Sequence, residues 1–175
     1  MSDTQWPCFE VFLQETPERP HRHAGSVHAP DAEMALLNAR DVFVRRPECC
    51  SLWVAPAAAF TRLTAEGLSE RRSAAEVGAQ QPGAYLVFAK TEARGTLAYL
   101  KQVSADSPRR ALDEAVREWS EPPAVVWAIL DRLVTRSDSE DAAPLFSPAR
   151  DKPYRDQAYY HTDTALRRLR RGEGE

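Results

Sequence analysis

The chain has 175 residues and a formal net charge of -3, the size of one ordinary domain or two small ones, with no overall positive field to draw it to nucleic acid. Hydrophobic residues make up 43%. That is enough for a core, yet no stretch is apolar for long enough to span a bilayer, and the Met-Ser-Asp-Thr-Gln-Trp start lacks the basic-then-apolar pattern of a signal peptide. Cys8, Cys49 and the adjacent Cys50 fit neither a disulfide framework nor a four-ligand zinc site, so a cytoplasmic protein with reduced thiols is expected.

In chain order, Phe9 to Gln14 alternates as a strand does, and a proline-bearing loop leads to a second short strand from His21 to His28. Asp31 is suited to N-cap a helix, Glu33 sits in its first turn, and Ala35, Leu36, Ala39 and Phe43 form an apolar stripe before Pro47. Ser51 to Ala55 reads as a third strand and Ala57 to Leu63 as a short helix. The polar stretch from Ala65 to Gly83 reads as a linker, with some helix around Ser73 to Val77.

The pattern then returns. Laid against itself so that Val11 meets Val87, the chain matches at Phe12 with Phe88, Val27 with Val103, Ala29 with Ala105, and Ala35, Leu36 and Ala39 with Ala111, Leu112 and Ala115. Phe43 meets Trp119. With two residues dropped, Trp53 meets Trp127, and Thr61-Arg62 meets Thr135-Arg136. Ser107 takes the N-cap place of Asp31, with Pro108 at the first helical position. Strands are expected at Tyr85 to Thr91, Leu97 to Val103 and Val125 to Ile129.

The expected fold class is therefore α+β: two similar β-β-α-β units, ferredoxin-like or related. Units this small gain stability by association, so they should pack as a pseudo-two-fold pair. The division is 1–64 for the first unit, 65–83 for the linker, 84–136 for a diverged second unit and 137–175 for an extended tail. The tail holds Pro144, Pro148 and Pro153, then Tyr154, Tyr159 and Tyr160, as a strap lying on a surface would. Thr164 to Arg171 can form a turn or two of helix, and its arginines read as a solvated face.

Several runs resemble one family: Trp6-Pro7 with Glu10-Val-Phe12, His21-Arg-His-Ala-Gly-Ser-Val-His28, Asp31 to Asp41, Ser51-Leu-Trp-Val54, and Phe146-Ser-Pro148 with Tyr154-Arg155. They look like the PaaB family, the B subunit of the phenylacetyl-CoA ring epoxidase of phenylacetic acid degradation. Typical members are about half as long, so residues from about 57 to 144 look like an insertion, which the self-comparison explains as a second copy. The family motif sits in copy one. Copy two carries Leu97 to Ser104 in place of the histidine segment. The resemblance implies a non-catalytic structural or coupling subunit with no cofactor of its own. It would associate with a di-iron catalytic subunit and that subunit's structural pair, while a reductase supplies electrons from NADPH.

The residues themselves give little sign of chemistry. His21 and His23 face one side of a strand, and His28 faces the other unless a bulge intervenes near Gly25. A single Glu18-x-x-His21, with Pro20 inside it, falls short of the paired helical motifs of a di-iron site. Seven scattered glycines make no phosphate loop. Nothing in the sequence places a base beside Cys49 or Cys50. Trp119 and Trp127 fall on core elements, so core packing is expected of them before an aromatic pocket. An interaction protein remains, with no nucleic acid and no membrane; the family match points to His21, His23, His28, Tyr154 and Arg155 as its partner-binding residues, and Arg40 on the first helix can join them against an acidic partner surface. The competing readings are a cofactor-independent enzyme of the dimeric α+β barrel type, which requires an enclosed apolar pocket, and an accessory subunit of a different oxygenase.

Overall fold

The computed structural model describes residues 6–44, 49–70, 81–117, 119–137 and Phe146. The first unit supplies β1 (Cys8–Gln14), β2 (Arg22–His28), α1 (Ala32–Phe43), β3 (Ser51–Pro56) and β4 (Thr61–Thr64), followed by α2 (Ala65–Glu70). The second supplies β5 (Gly83–Lys90), β6 (Ala98–Ala105), α3 (Pro108–Val116), β7 (Val125–Leu130) and β8 (Thr135–Arg136). Both long helices start as their sequences dictate. The Asp31 carboxylate accepts from the Met34 N–H, and the Ser107 hydroxyl accepts from the Arg110 N–H at the same point of the second copy.

The eight strands of the described residues form one sheet in the order β4-β7-β5-β6-β2-β1-β3-β8. The order is a palindrome of the two units. β2 and β6 meet at its centre, and each unit's last strand lies at the far edge of the other unit: β4 pairs with β7, and β8 pairs with β3. The expected pair of similar α+β units is present, and its halves exchange their final strands. Each unit thus reads β-β-α-β-β, which departs from the β-α-β-β-α-β order of a ferredoxin-like unit. The short helix expected at Ala57 to Leu63 is instead a single 3-10 turn at Ala57–Ala59 followed by β4. A backbone edge offered by β7 outweighs the helix propensity of three alanines. The same turn-then-strand occurs at Asp131–Leu133 and β8. The start of the expected linker is helix α2. Its expected helical part at 73–77 lies outside the described residues, as do Tyr154, Arg155 and the stretch 164–171.

The exchange extends past the strands. Leu68 on α2 is buried in the second unit's core with Val87, Leu112 and Val126. Phe146, 2% exposed, is buried in the first unit's core with Val11, Ala39 and Leu52. Each core lies between one face of the sheet and its helix, with Ala35 and Ala39 or Ala111 and Ala115 letting the helix approach closely.

The opposite faces of the two half-sheets meet each other. Phe12 on β1 stacks on Phe88 on β5 with ring centroids 4.1 Å apart. These strands are three places apart in the sheet, where flat spacing would hold them roughly 14 Å away, so the sheet curls until its inner faces touch. Phe60, Ala55, Leu86, Leu97, Ile129 and Val134 fill the same interior.

Candidate functional site

The duplication reaches down to a bulge. Val11 pairs with Gly25 and Phe12 with His23, leaving Ala24 as the extra residue. Val87 pairs with Lys101 and Phe88 with Tyr99, leaving Leu100 at the equivalent place. The bulge reverses the alternation along β2. Cys8 and Phe12 share a face of β1, so their partners His28 and His23 share a face of β2. Gly25 is needed beside it: its φ is +145°, and a Cβ there would lie 2.7 Å from the Phe43 ring.

The inner face carries two aromatic–cation stations related by the duplication. At one, the Arg62 guanidinium lies 4.5 Å from the Trp127 ring centre, and His23 meets Trp127 edge-on at 5.3 Å. At the other, Arg136 lies 4.8 Å from the Trp53 ring centre, and Tyr99 meets Trp53 edge-on at 5.5 Å. The residues that recur in the self-comparison, Trp53 with Trp127 and Arg62 with Arg136, are these contacts. Each arginine sits on an exchanged strand and reaches a tryptophan on the strand it joins, so each station closes the pair.

The two stations differ in polarity. In copy one, Glu10 holds His23 Nε2 through Oε2 and Arg62 through Oε1, each at 2.7 Å. In copy two, Leu86 and Tyr99 stand where Glu10 and His23 stand, and Arg136 pairs instead with Asp131 on the adjoining turn. His21 stacks on Trp53 at 3.5 Å and shares a 2.9 Å hydrogen bond with Ser51. Burial, and second the nearby Arg136 charge, push the His21 pKa down to about 4.

This geometry gives the histidines separate places. His21 is 6% exposed and lies inside the fold. His23 is half-buried and borders a cleft of about 340 Å³ with Lys90, Thr96, Leu97, Val125 and Trp127. His28 is exposed, and its Nδ1 meets the Trp6 carbonyl oxygen at 2.8 Å. Arg40 lies on α1, paired with Asp41 at 2.8 Å. The four described candidates therefore do not form one patch: His21 and His23 point inward, His28 is exposed at the end of β2 on the strand face it shares with His23, and Arg40 lies on α1, across the sheet from that face; Tyr154 and Arg155 lie outside the described residues. Sequence reasoning missed Glu10, Arg62, Arg136 and Phe146. The arginines were signalled by their recurrence, whereas Glu10 and Phe146 stood in runs that carry the family resemblance without any pattern that pointed to an ion pair or a core place.

Chemically, His21 with Ser51 is a hydroxyl–imidazole pair, but a proton affinity cut this far makes His21 a weak base near neutral pH. Burial pushes the Cys49 thiol up to about 12, far from a reactive thiolate. No group of three or more metal-ligating side chains gathers among the described residues. Among them, too, no helix is long and apolar enough to cross a membrane.

The family model of phenylacetic acid degradation B, PaaB, matches the chain twice in succession, over residues 5–77 and 82–166. The chain belongs to the PaaB family. It carries two PaaB units in tandem, as the palindromic sheet and the paired bulges require. The B subunit of the 1,2-phenylacetyl-CoA epoxidase of Escherichia coli (strain K12) is 53% identical over 57 residues, a stretch covering 33% of this chain and 60% of that relative. The match thus spans less than two thirds of the relative's length. No solved structure matches the chain.

Proposed function

We propose that this protein is a structural and coupling subunit of a multicomponent phenylacetyl-CoA epoxidase, acting in aerobic phenylacetate catabolism in the cytoplasm without a catalytic centre of its own. The observation that carries the reading is the 53% identity to the B subunit of such an epoxidase, set beside the double PaaB match. Its partners are the di-iron catalytic subunit and that subunit's structural pair, and through them the reductase. In this reading 1–64 and 84–136 are the PaaB units, 65–83 joins them, and 137–175 is a tail that adds Tyr154 and Arg155 to the partner surface. His28 and Arg40 act from the outer surface. His21 and His23 act through the inner stations that hold the units together.

The physical support is where the apolar surface has gone. One face of each half-sheet is covered by its helix, and the inner faces are filled by Phe12, Phe60, Phe88, Trp53 and Trp127. A barrel-type enzyme would keep that interior open for substrate, so the packed interior favours a protein that works from its outside. Affinity purification of the tagged chain from its own cell, grown on phenylacetate, tests the reading. The di-iron subunit and its pair should be recovered with it in comparable amounts. Recovery of neither, or recovery of a different oxygenase, would sink it.

A further inference from the structure

The two PaaB units supply an internal control for surface chemistry, since both helices have the same fold around them. Three large apolar residues of α1 are exposed: Met34 at 42%, Leu37 at 38% and Val42 at 52%. Met34 and Leu37 lie one turn apart on the side opposite the buried Ala35 and Ala39, whereas Val42, eight residues after Met34, falls nearer the Ala35 side at the helix's C-terminal end. The duplicated positions of Met34 and Leu37 on α3 are Arg110 and Asp113, so both apolar residues are charged in copy two. α3 satisfies its outer face internally: Arg109 pairs with Asp113 and Arg110 with Asp106. A helix that closes its own ion pairs is a solvated face. Apolar side chains kept on the outside of one copy and absent from the other have no use in the fold, because the same fold does without them.

From this asymmetry we infer that the outer face of α1, centred on Met34 and Leu37, is where this chain docks on its epoxidase partner, and that the chain therefore takes one partner although it is built from two units. The inference rests on the proposed function and names the surface that function uses. The partner's chemistry follows from the rim. Among the described residues, Asp31, Glu33 and Asp41 border the apolar residues and Arg40, paired with Asp41, is the basic residue beside them, so the complementary surface is apolar at its centre with lysine or arginine around it. A second copy of this chain is disfavoured by the same rim. Two α1 faces brought together would set carboxylates against carboxylates. One helix face is smaller than the roughly 800 Å² per partner of a stable interface, so it forms the centre of a wider contact.

The test uses the full chain with the purified catalytic subunit and its structural pair from the same organism. Mass determination of the assembly and binding titration are done on wild type, on a Met34→Glu/Leu37→Glu variant and on an Arg110→Glu/Asp113→Arg variant. One chain should bind one catalytic pair. The α1 variant should lose at least about tenfold in affinity, as truncating central interface residues does, with its thermal midpoint little moved because neither side chain belongs to a core cluster. The α3 variant should bind as wild type. Undiminished binding by the α1 variant, loss of binding in the α3 variant, two partners per chain, or a self-dimer that the α1 variant breaks each overturns the inference while leaving the proposed function standing. No binding by wild type overturns the proposed function, and the inference falls with it.

Discussion

His21 shows how one residue ties sequence to stability. Free histidine takes up a proton near 6.5, whereas His21 in the fold resists protonation down to about 4. Between those values the unfolded chain binds a proton that the folded chain does not. Stability therefore falls as the pH drops from about 6.5 to about 4, by at most roughly 3 kcal/mol from this group. The second copy carries Leu97 at this place, so His21→Leu should remove this part of the acid sensitivity. The checking measurement compares urea midpoints of wild type and variant at pH 5 and pH 7.5. The loss on acidification should be smaller in the variant, and an equal loss in both would refute the assignment. The sequence made His21 visible, but as a surface candidate. Its cover comes from Trp53, some thirty residues away, and part of its lowered pKa from the charge of Arg136 in the second unit, which no local pattern announces.

Glu10, His23 and Arg62 make a second case of the same kind. Removing one member of a partly buried charged group strands the others, while replacing the group by apolar neighbours of the right shape is often neutral. The chain contains such a replacement in Leu86 and Tyr99. Glu10→Leu/His23→Tyr leaves Arg62 without its carboxylate, but that side chain is 41% exposed and an exposed ion pair contributes at most about 1 kcal/mol, so the variant should unfold within about 1 kcal/mol of wild type, and His23→Ala alone should cost about 2 kcal/mol or more through lost ring contacts with Phe12 and Trp127. Equilibrium denaturation of the two variants decides it. A double variant less stable than the single one would mean that the copies are not interchangeable here.

Among the helices and strands, those with local signals were legible. Both helix starts followed from Asp31 and from Ser107-Pro108, and the strands of both units fell within about two residues of their hydrophobic runs. β4 and β8 were not legible. Each is short, and each forms because an edge from the other unit is waiting for it. The identities Thr61-Arg62 and Thr135-Arg136 marked that something was shared there without saying what. Exchange also makes remote residues structural. Phe146→Ala, in a stretch read as a tail, should destabilise the chain by about 3 to 5 kcal/mol, as emptying a core aromatic site does. A shift of less than about 1 kcal/mol in equilibrium denaturation would show that this residue is not part of the first unit's core.

Taken together, two look-alike units spend their strand edges and inner faces on each other. A chain cut after residue 70 keeps β4 but loses β7, its partner, and exposes Phe12, Phe60 and Trp53. Such a fragment should show no folded monomer in sedimentation and far-UV measurements, only a self-pair or an unfolded chain. The pseudo-dimeric architecture was readable from the self-comparison, but the curled sheet was not, because it depends on side chains meeting across strands that never pair. The docking asymmetry was equally hidden, since exposure of Met34 and Leu37 becomes informative only when set against Arg110 and Asp113 in the same structural place.

If this chain supports a catalyst without being one, its effect must appear in the turnover of others. Epoxidation of phenylacetyl-CoA can be followed with the catalytic pair and reductase in the presence and absence of the chain. Added chain should raise turnover and reach its limit at one chain per catalytic pair, and the chain alone with substrate, NADPH and dioxygen should form no epoxide. Turnover by the isolated chain, or a catalytic pair indifferent to its addition, would show that the chain is not a supporting subunit.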